Sequence, residues 1–129
     1  MLLYSLLSLS CQEPQEKSLS TFMFACSLAG SEEQQLTVRA ILNSFNETKC
    51  EPAWERLRQT KVLYLGNYEE SITDISVLEG LNQLEELYLS DSSVTQLKSL
   101  SSMTNLRILH LDHAPIVDVT PLSKMTQLE

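Results

Sequence analysis

The chain has little glycine, proline or positive charge. Its 129 residues include 3 Gly and 4 Pro, which excludes collagen-like and glycine-rich low-complexity proteins. Glycine occurs only at positions 30, 66 and 80, so the chain has no glycine-rich loop of the kind that cradles phosphate. Lys and Arg number 9 against 17 Asp and Glu, and the formal net charge is −8. Because this charge repels a phosphate backbone, we do not expect nucleic acid as a partner.

Cysteines and long apolar runs are equally scarce. Cys11, Cys26 and Cys50 are widely spaced, odd in number and without a CxxC pair, which excludes a dense disulfide framework and the common zinc motifs. At most one intramolecular bridge can form, and the sequence leaves open which pair forms it. No apolar run reaches the roughly 18 to 20 residues of a membrane-spanning helix, so we expect no membrane span.

Residues 1–30 differ in composition from the rest of the chain. The apolar stretch 19–30 is typical of the hydrophobic region of a signal peptide, with Lys17 before it and a small-x-small cleavage pattern at 27–29. Residues 1–16 contain no Lys or Arg, which argues against a signal peptide at this position unless the start is misplaced or the N-terminus is disordered. The alternative to export is a buried amphipathic N-terminal helix. The signal-peptide interpretation predicts a secreted or cell-surface protein; without export, the protein is cytoplasmic.

Residues 31–59 have the pattern of a helical cap. Ser31 and Gln34 have the spacing of a capping box, and apolar residues follow at helical intervals, which predicts a helix over about 32–45. The polar run 46–49 ends this helix, and Pro52 suits the first turn of a second, shorter one. Trp54, the only tryptophan, lies in this second helix and is interpreted as a core residue of the cap.

Residues 60–129 repeat with a period of 22. Leu84, Leu106 and Leu128 are 22 residues apart, and six further apolar columns share that spacing. The pattern defines three units, 60–83, 84–105 and 106–127, and the opening of a truncated fourth. The first unit is longer by two residues, which fall between Leu65 and Ile72.

Each unit reads LxxLxL followed by a second apolar run. This pattern resembles the 22-residue class of leucine-rich repeats found in bacterial internalins and in a regulatory subunit of type-1 protein phosphatase. The segment 116–128 is especially similar to the internalin IxDxxPLxxLTxL run. The resemblance implies an α/β fold: a leucine-rich repeat solenoid with short parallel strands on its concave face and an N-terminal helical cap. It also implies a turn-stabilising Asn in each unit; Ser92 and Ala114 occupy those positions, and only Ser can partly replace Asn.

The alternation within x-Leu-x-Leu-x separates buried from exposed positions. Leu87, Leu89, Leu109 and Leu111 point inward and should be buried between units, while the residues between them line the concave face. One outward column is Tyr64, Tyr88 and His110, and tyrosine is enriched at binding surfaces. The predicted partner-binding residues are Tyr64, Glu86, Tyr88, Ser90, Ile108, His110 and Asp112.

The resemblance and the residues together predict a non-catalytic module that binds a protein partner, without a cofactor. One alternative is an intracellular regulatory scaffold like the phosphatase subunit. Another is a metal-dependent site at His110 and Asp112, with His113 at the turn, although such a site needs three or four converging ligands. The serines lack a GxSxG context, so they do not indicate an enzyme. The apolar third unit has no predicted cap, so we also expect end-to-end self-association of a truncated solenoid.

Overall fold

The computed structural model describes residues 21–66 and 71–129. The start of the predicted signal-peptide segment, including Lys17, therefore lies outside the described residues. So do residues 67–70, which belong to the stretch between Leu65 and Ile72 that holds the two extra residues of the first unit. The described part contains a helical cap followed by a three-stranded parallel sheet. One continuous apolar core runs through both.

The first described segment packs into the cap. Residues 21–24 are α-helical and lead into a π-helical turn, Ala25–Ala29. Phe22 is fully buried and stacks on Trp54, with 5.9 Å between ring centroids. Cys26 forms a disulfide with Cys50, which selects one of the three pairings that the sequence left open. Phe22 and Ala25 are thus part of the core of the cap, whereas Phe24 is 57% exposed; whether the segment is processed stays a prediction.

Helix α1, Glu32–Phe45, has the predicted bounds. Ser31 Oγ accepts a hydrogen bond from the Gln34 N–H at 3.2 Å, and the Ser31 N–H donates to Gln34 Oε1 at 3.2 Å. Both halves of the predicted capping box are therefore present. The helix ends at Asn46, which adopts a left-handed conformation with φ 54°. Asparagine tolerates this conformation better than most residues, which explains why the polar run ends the helix here.

Helix α2, Cys50–Leu57, is the predicted second helix, with Pro52 in its first turn. Ala53, Trp54 and Leu57 are buried on its inner side. The prediction that Trp54 is a core residue of the cap is confirmed, since its exposed fraction is 6%.

Three strands form an open parallel sheet in the order β1 (Val62–Tyr64), β2 (Glu86–Tyr88) and β3 (Ile108–His110). Leu63 pairs in register with Leu87, and Leu87 with Leu109, which reproduces the sequence spacing. Each strand is followed by a 3-10 turn, at Ser76–Leu78, Lys98–Leu100 and Thr120–Leu122. The predicted α/β leucine-rich repeat architecture is confirmed.

The inward leucines differ between the second and third units. Leu87 and Leu89 are fully buried, as predicted. Leu109 and Leu111 pack against the core but are only partly buried, so the prediction that they are buried between units was wrong. The physical reason is that β3 is the last strand of the described sheet, and no further unit packs over its free side.

Polar side chains join the cap to the first unit. Thr37 Oγ1 donates to the Asp74 carbonyl oxygen at 2.5 Å, and Gln34 Nε2 donates to Ser76 Oγ at 2.9 Å. Gln83 Nε2 donates to the Leu57 carbonyl oxygen at 2.8 Å. These contacts connect both cap helices to the repeats, so the cap packs on the first unit and stabilises it.

Ser92 does not replace the Asn of the resemblance. Its side chain is 6% exposed, and its Oγ has no hydrogen-bond partner among the described residues. The expectation that Ser partly fills this role was therefore wrong. A serine side chain is one carbon shorter than asparagine and carries a single polar atom, so its reach toward neighbouring backbone groups is smaller.

Candidate functional site

The solvent-facing side of the sheet carries all seven predicted partner-binding residues. Because successive side chains of a strand point to opposite sides, the inward leucines leave their neighbours facing outward. None of the seven is buried, whereas the inward residues Leu63 and Leu87 on the same strands are each at most 1% exposed. We call this surface the strand face; its residues are Tyr64, Glu86, Tyr88, Ser90, Ile108, His110 and Asp112.

Three aromatic rings stack across the strand face. Tyr64 and Tyr88 have ring centroids 4.4 Å apart at an angle of 19°, and Tyr88 and His110 are 4.7 Å apart at 11°. In-register parallel strands lie about 4.8 Å apart, which is close to the separation of the ring centroids in offset-stacked aromatic pairs. The sequence predicted this column of residues but not that their rings stack. We call the three rings the ring ladder.

The hydroxyl of Tyr88 is engaged within the strand face. It donates a hydrogen bond to Glu86 Oε2 at 2.9 Å. The two residues are two positions apart on one strand, so they share a side of the sheet. This hydrogen bond to a carboxylate, together with burial, raises the pKa of Tyr88 to about 12, and the hydroxyl stays protonated at neutral pH.

A second polar group lies at the ends of β2 and β3. Ser90 Oγ donates to Asp112 Oδ2 at 3.1 Å, and His110 Nδ1 lies 3.4 Å from the same oxygen. The Ser90 hydrogen bond, followed by that of His110, holds the pKa of the Asp112 carboxyl below its usual value. Asp112 is therefore ionised at neutral pH.

The turns after β2 and β3 add a pair that the sequence analysis missed. Asp91 and His113 both have positive φ, 60° and 64°, and His113 Nδ1 lies 2.8 Å from Asp91 Oδ1. Their spacing of 22 residues could have indicated this contact.

Gly66 lies just beyond the end of β1, close to the backbone of the second unit. A Cβ on Gly66 would lie 2.5 Å from the Ser90 carbonyl oxygen. Glycine is therefore required at this edge of the strand face.

A column of alternating charge precedes the strands and was also missed. Lys61 Nζ lies 2.5 Å from Glu85 Oε1, and Arg107 Nη2 lies 2.8 Å from Glu129 Oε1. The hydrogen bond from Lys61 lowers the pKa of Glu85. The basic groups beside the strand face are thus already paired with carboxylates.

The geometry does not support the metal-dependent alternative. Within residues 21–66 and 71–129, no group of three or more His, Cys, Asp or Glu side chains is arranged to hold a metal ion. His113 pairs with Asp91 rather than joining His110 and Asp112. In the same part of the chain, no helix has the length and apolar content to cross a membrane.

Comparisons with known proteins agree with the repeat architecture. A family model described as leucine-rich repeats, two copies, matches residues 82–124. An internalin (inlF) from Listeria monocytogenes str. 4b F2365 has 32% sequence identity and a TM-score of 0.54, over 60% of this chain and 23% of that chain. An internalin C2 (inlC2) from the same strain has 16% identity and a TM-score of 0.43, over 72% of this chain and 61% of that chain.

The chain spans less than two thirds of the length of either internalin, 23% of the first and 61% of the second. Among curated protein sequences, no match was found. Leucine-rich repeat domains of this kind are typically non-catalytic and take part in protein interactions. The repeats, the open parallel sheet and the matching family model show a leucine-rich repeat fold, and the chain is similar in sequence and structure to part of the internalin inlF.

Proposed function

We propose that the protein is a non-catalytic binding module and that its strand face, as the concave side of the solenoid, contacts a protein partner. The observation that carries this proposal is the ring ladder. Tyr64 is 59% exposed although it is a large aromatic residue, and it continues into two further stacked rings. Stacked rings are already ordered, so a partner can bury them at little further cost in side-chain entropy.

The test removes the ladder without disturbing the core. The double variant Tyr64→Ala/Tyr88→Ala is compared with the wild type and with Val117→Ala/Val119→Ala. Val117 and Val119 are 94% and 61% exposed and lie outside the strand face, so this control also removes exposed apolar surface. Proteins retained by each immobilised chain are quantified by mass spectrometry, and each retained protein is purified and titrated.

We expect a partner whose Kd rises at least about 25-fold in the ladder variant, because interface hot spots contribute about 2 kcal/mol or more. The control variant should bind this partner like the wild type. A partner that binds the ladder variant normally and loses affinity for the Val117→Ala/Val119→Ala variant would contradict the proposal.

We also propose that the protein is secreted or displayed at a cell surface. The Cys26–Cys50 disulfide supports this location over that of an intracellular scaffold, because disulfides persist mainly in oxidising compartments. Cleavage after Ala29 would separate Cys26 from Cys50, so we infer that the mature chain keeps residues 21–29. N-terminal sequencing and thiol labelling of the protein from its native source test both points. A mature chain that begins after Cys26, or labelled thiols at Cys26 and Cys50, would contradict them.

The partly exposed third unit favours a second contact, end to end between copies of the chain. Leu109, Leu111 and Leu128 pack on the core but remain partly exposed along the free side of β3. Light scattering should show a dimer fraction that rises with concentration and falls in Leu128→Lys. A monomer at every attainable concentration would contradict this contact.

A further inference from the structure

The hydrogen-bond donors of the strand face are mostly used within the strand face itself. The Tyr88 hydroxyl donates to Glu86, and the Ser90 hydroxyl donates to Asp112. His110 Nδ1 lies beside the same Asp112 carboxylate. What remains directed at solvent is therefore rich in acceptors: carboxylate oxygens and the lone pairs of the hydroxyl oxygens. A partner must bring donors to satisfy them.

The charge of the strand face also favours a partner that carries positively charged donors. Glu86 and Asp112 are the charged residues of the strand face, and no Lys or Arg occupies an outward strand position of the described units. The basic residues that directly precede β1 and β3, Lys61 and Arg107, form ion pairs with Glu85 and Glu129. The strand face is thus negative, within a chain whose formal net charge is −8.

The ring ladder favours a guanidinium group over an ammonium group as the cation that binds the strand face. Tyr64 and His110 cover both faces of the Tyr88 ring, so the ring faces that remain open are the outer faces of Tyr64 and His110. The His110 ring lies beside the Asp112 carboxylate, and the Tyr88 hydroxyl lies beside that of Glu86. A guanidinium group is planar, stacks on aromatic rings and binds carboxylates through two parallel N–H donors. An ammonium group binds as a compact, strongly hydrated charge and does neither as well.

Building on the proposed function, we propose that the partner of the strand face is an arginine-bearing protein segment. Its guanidinium groups pair with the carboxylates of Glu86 and Asp112 and lie against the ring ladder. The two carboxylates fix where along the strands the segment docks, and the rings supply apolar area around each ion pair. This pairing partly shields the ion pairs from water, which strengthens them relative to isolated surface pairs.

The test uses defined probes, short capped peptides of alternating glycine with arginine, lysine or glutamate. Binding is followed by NMR at about 0.15 M salt, where the screening length is about 8 Å and distant charges contribute little. The test variant is Glu86→Gln/Asp112→Asn. Each amide oxygen can still accept the hydrogen bond from Tyr88 or Ser90, so the ladder geometry is retained.

The matched control, Glu51→Gln/Glu55→Gln, removes the same number of negative charges from the exposed side of α2, away from the strand face. Thermal unfolding and the fluorescence of Trp54 check that both variants are folded. The arginine peptide should shift the ring signals of Tyr64, Tyr88 and His110 in the wild type and in the control. Its affinity should fall about fivefold to tenfold in the test variant, as expected for two partly shielded ion pairs.

The lysine peptide should bind the wild type about twofold to threefold more weakly than the arginine peptide, and the glutamate peptide should not bind. Equal loss of affinity in the test and control variants would mean that net charge alone attracts the peptide, and would overturn the proposal. Ring signals that stay unshifted would overturn it too. Neither outcome touches the proposed function, which depends separately on the partner loss in Tyr64→Ala/Tyr88→Ala.

Discussion

Removal of the bridge between Cys26 and Cys50 measures how strongly residues 21–29 support the cap. The two cysteines are 24 residues apart in sequence. The loop-closure entropy of such a length corresponds to about 3.5 kcal/mol at 25 °C. We therefore expect Cys26→Ser/Cys50→Ser to lower the free energy of unfolding of the cap by about 3 kcal/mol. Because repeat proteins are stabilised through neighbouring units, the first unit should also lose part of its stability.

Trp54 reports this change directly. It is the only tryptophan, is 6% exposed and stacks on Phe22 in the bridged segment. A urea titration followed by its fluorescence should show a midpoint lower by between about 1 and 3 M, given typical denaturant slopes for small proteins. Cys11→Ser, which keeps both bridged cysteines, serves as the control, and reduced wild type should match the double variant. Identical midpoints in all four samples would refute the reasoning.

Three further predictions concern the repeats. Leu109→Ala should lower the free energy of unfolding by about 2 kcal/mol and His110→Ala by less than about 1 kcal/mol, since only Leu109 points inward; equal losses in a urea titration would contradict the strand phase. Ser92→Ala should leave the melting temperature unchanged or raise it, because it removes a buried hydroxyl without a partner; a clear drop would reveal an undetected hydrogen bond. The pKa values of Asp112 and Glu85 are lowered in the folded state, so their stabilisation is complete above the unfolded values of 3.8 and 4.5 and is lost as pH falls through the lowered values. Melting temperatures between about pH 5 and pH 2 should show this loss, and Asp112→Asn should make it smaller; an unchanged slope in this variant would contradict the assignment.

The sequence was most informative where each residue is constrained by its nearest neighbours along the chain. The capping box of Ser31 and Gln34 predicted the start of α1, and Asn46 lies in the polar run that was predicted to end it. The alternation of leucines predicted which positions of β1 and β2 point inward, since Leu63 and Leu87 are buried and their neighbours are not. In these cases the pattern repeats over a few residues, and local backbone geometry is sufficient to explain it.

Contacts between distant segments were not predictable in the same way. Three cysteines allow three pairings, and the packing of Phe22 against Trp54 places the segment that carries Cys26 against the helix that carries Cys50. The sequence gives a spacing but not the approach of two Cβ atoms, on which a bridge depends. The stack of Tyr64 and Tyr88 likewise requires the in-register pairing of β1 and β2, which a single unit does not reveal.

The in-register pairing of neighbouring strands aligns both the inward leucines of the core and the outward residues of the strand face. The pairing of β2 with β3 that places Leu87 beside Leu109 also places Tyr88 beside His110. An outward residue therefore forms a column without any loss of core packing, and a substitution there changes one position of that column. The longer first unit obeys this rule: Leu63 still pairs with Leu87, since its extra residues follow the strand and precede Ile72. Insertions in the turns can thus vary in length without shifting the rings, and an outward residue of the strand face can be replaced without changing the pairing of the inward leucines.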